Sequence, residues 1–202
     1  MRLHRIYYPF NANLGDHVLI ENEKSHYIGN VLRLKVGRQF KIFNHEMVEY
    51  IAEIIAVNKK NIEIKMIETI NAIASSKLQI TLIQGLSKGE RMDYTVQKAT
   101  ELGIITIIPI ISEYCEVKLT GQRLDKKLNH WKNIAISACE QSFRADIPNI
   151  ITPISISEYC KTHHLGLLLE PEETTTIKQV AKENWQNLTL LLAQKVAGRK
   201  LT

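Results

Sequence analysis

Cysteine is scarce in this chain, and the few that are present exclude one class of small protein. The 202 residues contain three, Cys115, Cys139 and Cys160, an odd number without a CxxC pair. Such a set excludes a disulfide framework and favours the reducing cytosol, so we expect a cytoplasmic protein. Cys139 is predicted to be a small core residue. Neither Cys115 nor Cys160 has an evident histidine base in the sequence, so we expect no nucleophilic cysteine.

Membrane signals and familiar catalytic motifs are also missing. No apolar run approaches the roughly 20 residues of a membrane helix, and residues 1–7 lack the apolar core of a secretory signal. We therefore expect no membrane partner. The chain has no GxGxxG, P-loop, HExxH or GxSxG motif. The side chains of the adjacent pair His163-His164 diverge on a strand or a helix, so we expect no metal site.

Positive charge is only mildly in excess. Lys and Arg number 26 against 21 Asp and Glu, and the resulting net charge of +5 is a weak indication of an anionic partner. Hydrophobic residues make up 45% and charged residues 23%, which is typical of globular proteins. The length fits one ordinary domain or two small ones.

Short alternating segments before residue 70 predict a small β-barrel. Polar and apolar residues alternate over three segments: 38–43, 48–57 and 61–67. In the last of these, Ile62, Ile64 and Met66 share one face. The helical candidate in this region is 25–34, with Ser25 as N-cap.

A small, polar stretch over 71–77 is predicted to be a linker, after which strands and helices alternate. The predicted strands are 78–83, 104–111, 149–152, 165–169 and 188–192. The predicted helices are 89–102, 124–143, 155–161 and 174–184. This alternation predicts an α/β domain with a mostly parallel sheet and right-handed crossovers.

Two of these helices have clear apolar faces. The apolar face of the predicted helix 89–102 consists of Met92, Val96, Ala99 and Leu102, with Gly103 as C-cap. The inward residues of the second are Leu124, Leu128, Trp131, Ile134 and Ala138.

A polar cluster lies between a predicted strand and the helix that follows it. Lys88 and Arg91 stand at the helix N-terminus, where cations oppose the helix dipole unless they face an anion such as phosphate. Ligands of parallel sheets bind beyond the carboxyl ends of strands, so the loop is well placed for a site. A solvated turn is an equally good interpretation. Gln97 and Glu101 lie four residues apart on this helix and are predicted to share a polar face.

A second cluster, Glu140, Gln141 and Arg144, ends the long helix. An arginine at a helix C-terminus is favourable in itself, because it complements the dipole. Alternatively, an arginine beside an amide and a carboxylate can hold a phosphate or a base edge.

Positive charge in the barrel comes from Arg2, Arg5 and Arg33. The aromatic residues Tyr7, Tyr8 and Phe10 lie near the first two in sequence. Basic residues interleaved with aromatics are typical of surfaces that bind looped or single-stranded RNA. From the sequence alone, a solvated basic face is the simpler interpretation.

The chain resembles the ribosomal RNA small subunit methyltransferase E family. The matching strings are LIQGLSKGERM (82–92), QKATELG (97–103), Ile108-Pro109, Trp131, ACEQSFR (138–144) and Pro148, with His26 and VLRLKVG (31–37) in the barrel. The series runs in order over about residues 5–191. Phe143 departs from the small residue that is usual at its position.

The resemblance implies a PUA-like β-barrel over residues 1–70, a linker over 71–77 and a SPOUT-type α/β methyltransferase domain over 78–202. It also implies a homodimer that methylates N3 of one uridine in 16S ribosomal RNA, with S-adenosylmethionine as methyl donor. The site residues it implies are Lys88, Arg91, Gln97, Glu140, Gln141 and Arg144 at the substrate. The RNA contacts are Arg2, Arg5, Arg33, Lys88 and Arg91. The cofactor contacts are Leu169, Glu170 and Pro171.

The tail departs from the family. After Leu191, members continue with a Gly-Pro-Glu-Gly-Gly loop and a trefoil knot that forms most of the cofactor pocket, and we expect both to be missing here. If residues 191–198 are encoded as TTA TTG GCC CAG AAG GTG GCT GGN, reading from the third base gives Ile-Gly-Pro-Glu-Gly-Gly-Trp. We therefore expect a shifted reading frame, which the gene sequence across these codons would test. We also expect weak or no binding of S-adenosylmethionine.

Two other functions remain open at this stage. One is a non-catalytic RNA-binding protein with a degenerate α/β domain, which methyl transfer to small-subunit particles would exclude. The other is a soluble α/β protein whose clusters are purely structural, against which salt-dependent RNA binding would argue.

Overall fold

A computed structural model of the chain describes residues 3–70, 76–111, 119–162, 166–169, 174–180 and 185–192. Several predictions fall outside these residues. They concern Arg2, most of the linker, Cys115, the pair His163-His164, Glu170, Pro171 and the tail 193–202. The contacts divide the chain into an N-terminal unit, 1–75 with 139–146, and a C-terminal unit, 76–138 with 147–202. The predicted division places 139–146 in the second domain, whereas the contacts place it in the N-terminal unit.

The N-terminal unit is built on a five-stranded sheet. Its strands are β1 (Arg5–Tyr7), β2 (His17–Glu21), β3 (Gln39–Phe43), β4 (Glu49–Val57) and β5 (Asn61–Ile70). The spatial order is β1-β3-β4-β5-β2, in which only β1 and β3 are parallel. Two register shifts between β4 and β5 are irregularities of the kind that bend and twist a sheet.

Alternation of apolar residues explains the three longer strands. Ile62, Ile64 and Met66 are fully buried, which confirms the predicted face of β5. Phe40 and Ile42 of β3 join them in one core. The two short strands β1 and β2 escaped prediction, because three and five residues carry too little periodicity to distinguish a strand from a loop.

The predicted helix of this unit is wrong at its start. Helix α1 covers Asn22–His26 and continues as a π-helical turn over Tyr27–Val31. Ser25 is therefore inside the helix and not its N-cap. Its buried hydroxyl donates to the carbonyls of Asn22 and Lys60 at 2.8 and 3.1 Å.

The C-terminal unit is built on a parallel sheet. Its strands are β6 (Gln79–Gly85), β7 (Thr106–Ile111), β8 (Asn149–Ile150), β9 (Ile154–Ser155), β10 (Leu167–Leu169) and β11 (Asn187–Leu192). Its helices are α2 (Glu90–Glu101), α3 (Gly121–Ser142), α4 (Ile156–Thr162) and α5 (Ile177–Val180). The order is β10-β11-β6-β7-β8, with β9 on β7, and every pair is parallel, as predicted.

Most of the predicted packing of this unit is confirmed. Residues 107–110 of β7 are buried, as expected for a strand covered on both faces. Three of the residues predicted on the apolar face of α2 are buried: Met92, Val96 and Ala99. Leu102 is 80% exposed, so the buried face of α2 ends one turn before the predicted end. The chain leaves the helix there, since Gly103 has a φ of +97°.

The long helix also follows its apolar pattern. Trp131 is fully buried, and Leu128 and Ile134 pack against the same core. The helix ends at Ser142 and not at Phe143, which has a φ of +64°. Within the part of the chain that the structure describes, no helix is long and apolar enough to cross a membrane.

Asp93 of α2 accepts hydrogen bonds from α3. Lys127 Nζ and Trp131 Nε1 donate to its Oδ1 at 2.8 and 3.0 Å, and His130 Nε2 lies 2.7 Å from Oδ2. Burial raises the pKa of Asp93, but the hydrogen bonds and charges of Lys127 and His130 outweigh burial, so this pKa lies below its ordinary value. The ionised carboxylate therefore stabilises the packing of the two helices.

We predict that Asp93→Asn lowers the free energy of unfolding by about 1–2 kcal/mol near neutral pH, because the ion pairs are lost while an acceptor for Trp131 remains. A lowered folded-state pKa contributes stability above the unfolded value of about 3.9, and this contribution is lost as the pH falls through the folded pKa. Urea titrations followed by circular dichroism should show the difference shrinking at low pH. Asp125→Asn, at an exposed position of the same helix α3, is the control. A difference that is unchanged at acid pH would contradict the assignment.

Candidate functional site

The loop at the carboxyl end of β6 presents two cations. Leu86 and Ser87 are buried, and the Leu86 N–H donates to the carbonyl of Ile110 at 2.8 Å, so the base of the loop is fixed. Lys88 and Arg91 are exposed beyond it. The position at a strand end and a helix start is the one at which a parallel sheet binds ligands.

The polar face predicted on α2 is confirmed. Gln97 Nε2 donates to Glu101 Oε1 at 3.0 Å, and Lys98 Nζ lies 2.7 Å from Oε2. The Gln97 amide nitrogen therefore has a partner within its own helix. Its predicted contact with substrate stays a prediction.

Arg5 is held inside the N-terminal unit. Its side chain is 2% exposed, and Nε and Nη2 donate to the Glu49 carboxylate at 2.9–3.1 Å. Nη1 donates to the carbonyls of Cys139 and Arg144, both at 2.8 Å, and the guanidinium lies 3.8 Å from the centre of the Phe43 ring. These contacts correct the expectation that Arg5 binds RNA, because protein groups surround its guanidinium. Its role is to fix 139–144 against β1 and β4.

The chain after α3 is shaped by a second arginine. Arg144 donates from Nε and Nη2 to the Asp146 carboxylate at 3.1 and 2.6 Å. The sequence gives no signal for Asp146, because its spacing of two residues from Arg144 belongs to no regular helix pattern. Phe143, the residue before Arg144, adopts the left-handed region, a conformation that is uncommon for residues other than glycine.

Glu140 connects the end of α3 to β1 and α1. Its Oε1 accepts from the Tyr7 N–H at 2.9 Å and from Lys24 Nζ at 2.7 Å. The side chain is only 8% exposed. Glu140 is predicted from the sequence as a site residue, but Lys24 is not, because it lies 116 residues away in sequence.

A cavity of about 360 Å³ lies beside Glu140 within the N-terminal unit. It is lined by Leu3, His4, Arg5, Ile6, Tyr27, Leu32, Glu140, Gln141 and Phe143. Burial and the nearby charge of Glu140 raise the pKa of Tyr27, so its hydroxyl stays protonated at neutral pH. Burial raises the pKa of the adjacent Cys139 thiol to about 11, which confirms it as a core residue.

A second groove of the N-terminal unit, of about 480 Å³, runs between α1 and the β4–β5 turn. Its lining residues are Asn22, Ser25, His26, Gly29, Asn30, Val57, Asn58, Lys59, Lys60 and Ile62. Among these described residues none is acidic, and Lys59 and Lys60 are exposed. The sequence showed Lys59-Lys60 only as turn residues, although two adjacent lysines between asparagines were a usable signal.

The other residues predicted to contact RNA differ in their exposure to solvent. Arg33 is exposed, whereas Phe10 is 7% exposed and belongs to the core. Tyr7 and Tyr8 are half-buried. Among the described residues, no group of three or more His, Cys, Asp or Glu could hold a metal ion.

Comparisons with known proteins agree with this architecture. Residues 74–193 match the family of RNA methyltransferase domains, and residues 20–67 match the PUA domain of RNA methyltransferases. Ribosomal RNA small subunit methyltransferase E of Buchnera aphidicola subsp. Schizaphis graminum is 35% identical over 185 residues, covering 90% of this chain and 75% of that protein. The chain belongs to the ribosomal RNA small subunit methyltransferase E family.

Two solved structures are similar over nearly the whole chain. A methyltransferase of Legionella pneumophila with bound S-adenosylmethionine has a TM-score of 0.87 at 34% identity, covering 95% of this chain and 79% of that one. Ribosomal RNA small subunit methyltransferase E of Neisseria gonorrhoeae, also bound to S-adenosylmethionine, has a TM-score of 0.86 at 30% identity, covering 94% and 79%. The cofactor expected for this methyltransferase family is therefore S-adenosylmethionine.

The described strand ends fit an uncharged part of that cofactor. Leu169 of β10 pairs with Leu192 of β11, which pairs with Gln84 of β6, so three carboxyl ends meet at one edge of the sheet. Leu169 and Leu192 are half-buried apolar residues, which could contact the uncharged adenosine part of the cofactor. The contact of Leu169 with the cofactor stays a prediction.

We predict that Arg5→Met destabilises the protein by about 3–5 kcal/mol, because Glu49 would remain buried without its main cation. The double variant Arg5→Met/Glu49→Leu should recover part of this loss, since no unpaired buried carboxylate remains. Urea titrations of both single variants and the double variant measure the coupling. Strictly additive losses would contradict the assigned pairing.

Proposed function

We propose that this chain transfers the methyl group of S-adenosylmethionine to N3 of one uridine in the 16S ribosomal RNA of the small subunit. The observation that carries the proposal is the exposed pair Lys88 and Arg91 at the carboxyl end of β6. It stands in a chain that is 35% identical, over 90% of its length, to a small-subunit ribosomal RNA methyltransferase. When bound, S-adenosylmethionine supplies an electrophilic methyl group.

The chemistry requires uracil N3 to lose its proton, which leaves negative charge on the base. Donors that face this charge stabilise it. Lys88 and Arg91 can act in this way, or they can hold a backbone phosphate of the substrate. In both cases an anion offsets the unfavourable position of two cations at the start of α2.

The segment at the end of α3 would contact the same substrate. Gln141 is exposed, and an amide can pair with the carbonyl and imino groups of uracil. Arg144 would hold a phosphate while Asp146 fixes its guanidinium plane. The hydrogen bonds from Arg5 to the carbonyls of Cys139 and Arg144 keep this segment in one conformation.

The N-terminal unit would bind the surrounding RNA. Exposed Arg33, and Lys59 and Lys60 in the groove beside α1, can pair with phosphates. The small ribosomal subunit is the partner that this substrate implies. We also propose a homodimer in the cytoplasm.

We predict that Arg91→Gln lowers methyl transfer about 10–100-fold, because one charge-assisted hydrogen bond to the substrate is lost. The assay uses radiolabelled S-adenosylmethionine with unmethylated small subunits. Reverse transcription locates the product, because a methyl group on N3 removes the proton used in base pairing and stops extension at that nucleotide.

Lys132→Gln, at an exposed lysine of α3, is the matched control and should leave transfer unchanged. Equal rates for the two variants would contradict the role of Arg91. Incorporation at a nucleotide other than uridine would contradict the proposed reaction.

A further inference from the structure

The cavity beside Glu140 has the size of a small-ligand site. Its volume of about 360 Å³ falls in the usual range of about 300–1,000 Å³. All of its lining residues belong to the N-terminal unit, so β1, the helical segment 22–32 and residues 140–143 form it together. Neither the parallel sheet nor its strand ends contribute to it.

Glu140 brings one unused acceptor to this cavity. Both donors that reach its carboxylate, the Tyr7 N–H and Lys24 Nζ, bind Oε1. Among the described residues no donor reaches Oε2, although the side chain is 8% exposed. Glu140 Oε2 is not among the buried polar side-chain atoms that lack a partner, so a ligand in the cavity can reach it and donate a charge-assisted hydrogen bond.

Aromatic rings and polar groups complete the lining. Tyr27 and Phe143 contribute rings, with Lys24 Nζ 5.4 Å from the centre of the first and Lys41 Nζ 5.8 Å from that of the second. His4 and Gln141 are exposed at the opening. Rings for stacking beside a few polar groups are what unstacked RNA bases bind.

The acceptor selects among the bases. A carboxylate accepts from an amino group such as N4 of cytosine, whereas uracil presents the O4 carbonyl at the equivalent position. We propose that this cavity binds a base with an exocyclic amino group, in a nucleotide near the target uridine, and that its amino group donates to Glu140 Oε2. The inference rests on the proposed function, because it takes RNA as the substrate.

The variant Glu140→Gln is expected to change which base the cavity prefers, and not merely to weaken RNA binding. The Tyr7 N–H and Lys24 Nζ both require an acceptor at the position of Oε1, so the glutamine oxygen must lie there. The amide NH₂ then replaces Oε2 and turns the acceptor into a donor. This variant should prefer a carbonyl-bearing base over an amino-bearing one.

The experiment measures binding of the full chain to fluorescein-labelled nonauridylate and to variants with one cytidine at each position except the central one. We expect one cytidine position to tighten binding about tenfold. Glu140→Gln should abolish or reverse that preference, and Tyr27→Leu should weaken binding of all these RNAs. N4,N4-dimethylcytidine at the same position should bind the wild-type chain no better than uridine, because it has no N4–H.

Outcomes separate this inference from the proposed function. Equal binding of every nonamer by the wild-type chain would overturn the inference, as would an unchanged preference in Glu140→Gln. The dimethylcytidine comparison needs no variant, so it decides the matter even if Glu140→Gln does not fold. The proposed function fails separately, if small subunits receive no methyl group at N3 of uridine.

Discussion

A buried arginine organises the N-terminal unit and the segment that the substrate is proposed to meet. The Arg5 guanidinium has five donors in a rigid plane, and Glu49, Cys139 and Arg144 accept from it. Because two of these acceptors are main-chain carbonyls around the end of α3, the arginine satisfies groups that a helix terminus leaves unpaired. A lysine could not span them all, since its ammonium presents a single point charge.

The same constraint explains the conformation of the chain after α3. Phe143 adopts a φ of +64°, which costs about 1 kcal/mol or more for a side chain with a Cβ. The carbonyls on either side of it are bound by Arg5, and the next residue, Arg144, is bound by Asp146. The unusual turn is thus stabilised from both ends, and it places the Phe143 ring at the cavity in which Glu140 retains an unused oxygen.

The spacing of apolar residues in the sequence predicted those helices and strands that bury one continuous apolar face. The parallel sheet, α2, α3 and the alternating faces of β5 follow from periodicity, since each buries an uninterrupted apolar face. The start of α1 does not follow from periodicity, because Glu21 and Asn22 give no N-cap signal stronger than that of Ser25. The roles of the residues in the candidate site are even harder to predict from the sequence. Arg5 and Arg33 look alike in sequence, and only the fold shows that Glu49 faces one of them.

Charge location is therefore more informative here than net charge. Arg5 adds to the excess of +5 in the sequence, yet Glu49 neutralises it inside the unit, so it contributes little to the field that an RNA would meet. Exposed cations lie at turns and element ends, as Lys59, Lys88 and Arg91 do, and also along helices, as Lys132 does. In salt, the attraction between a cation and a phosphate falls steeply over about 10 Å. The positions of the exposed cations, and not the net charge, therefore determine where an RNA strand can approach. Within the N-terminal unit, the carboxylate of Glu140 beside Lys24 then acts against indiscriminate binding and favours a base that can donate to it.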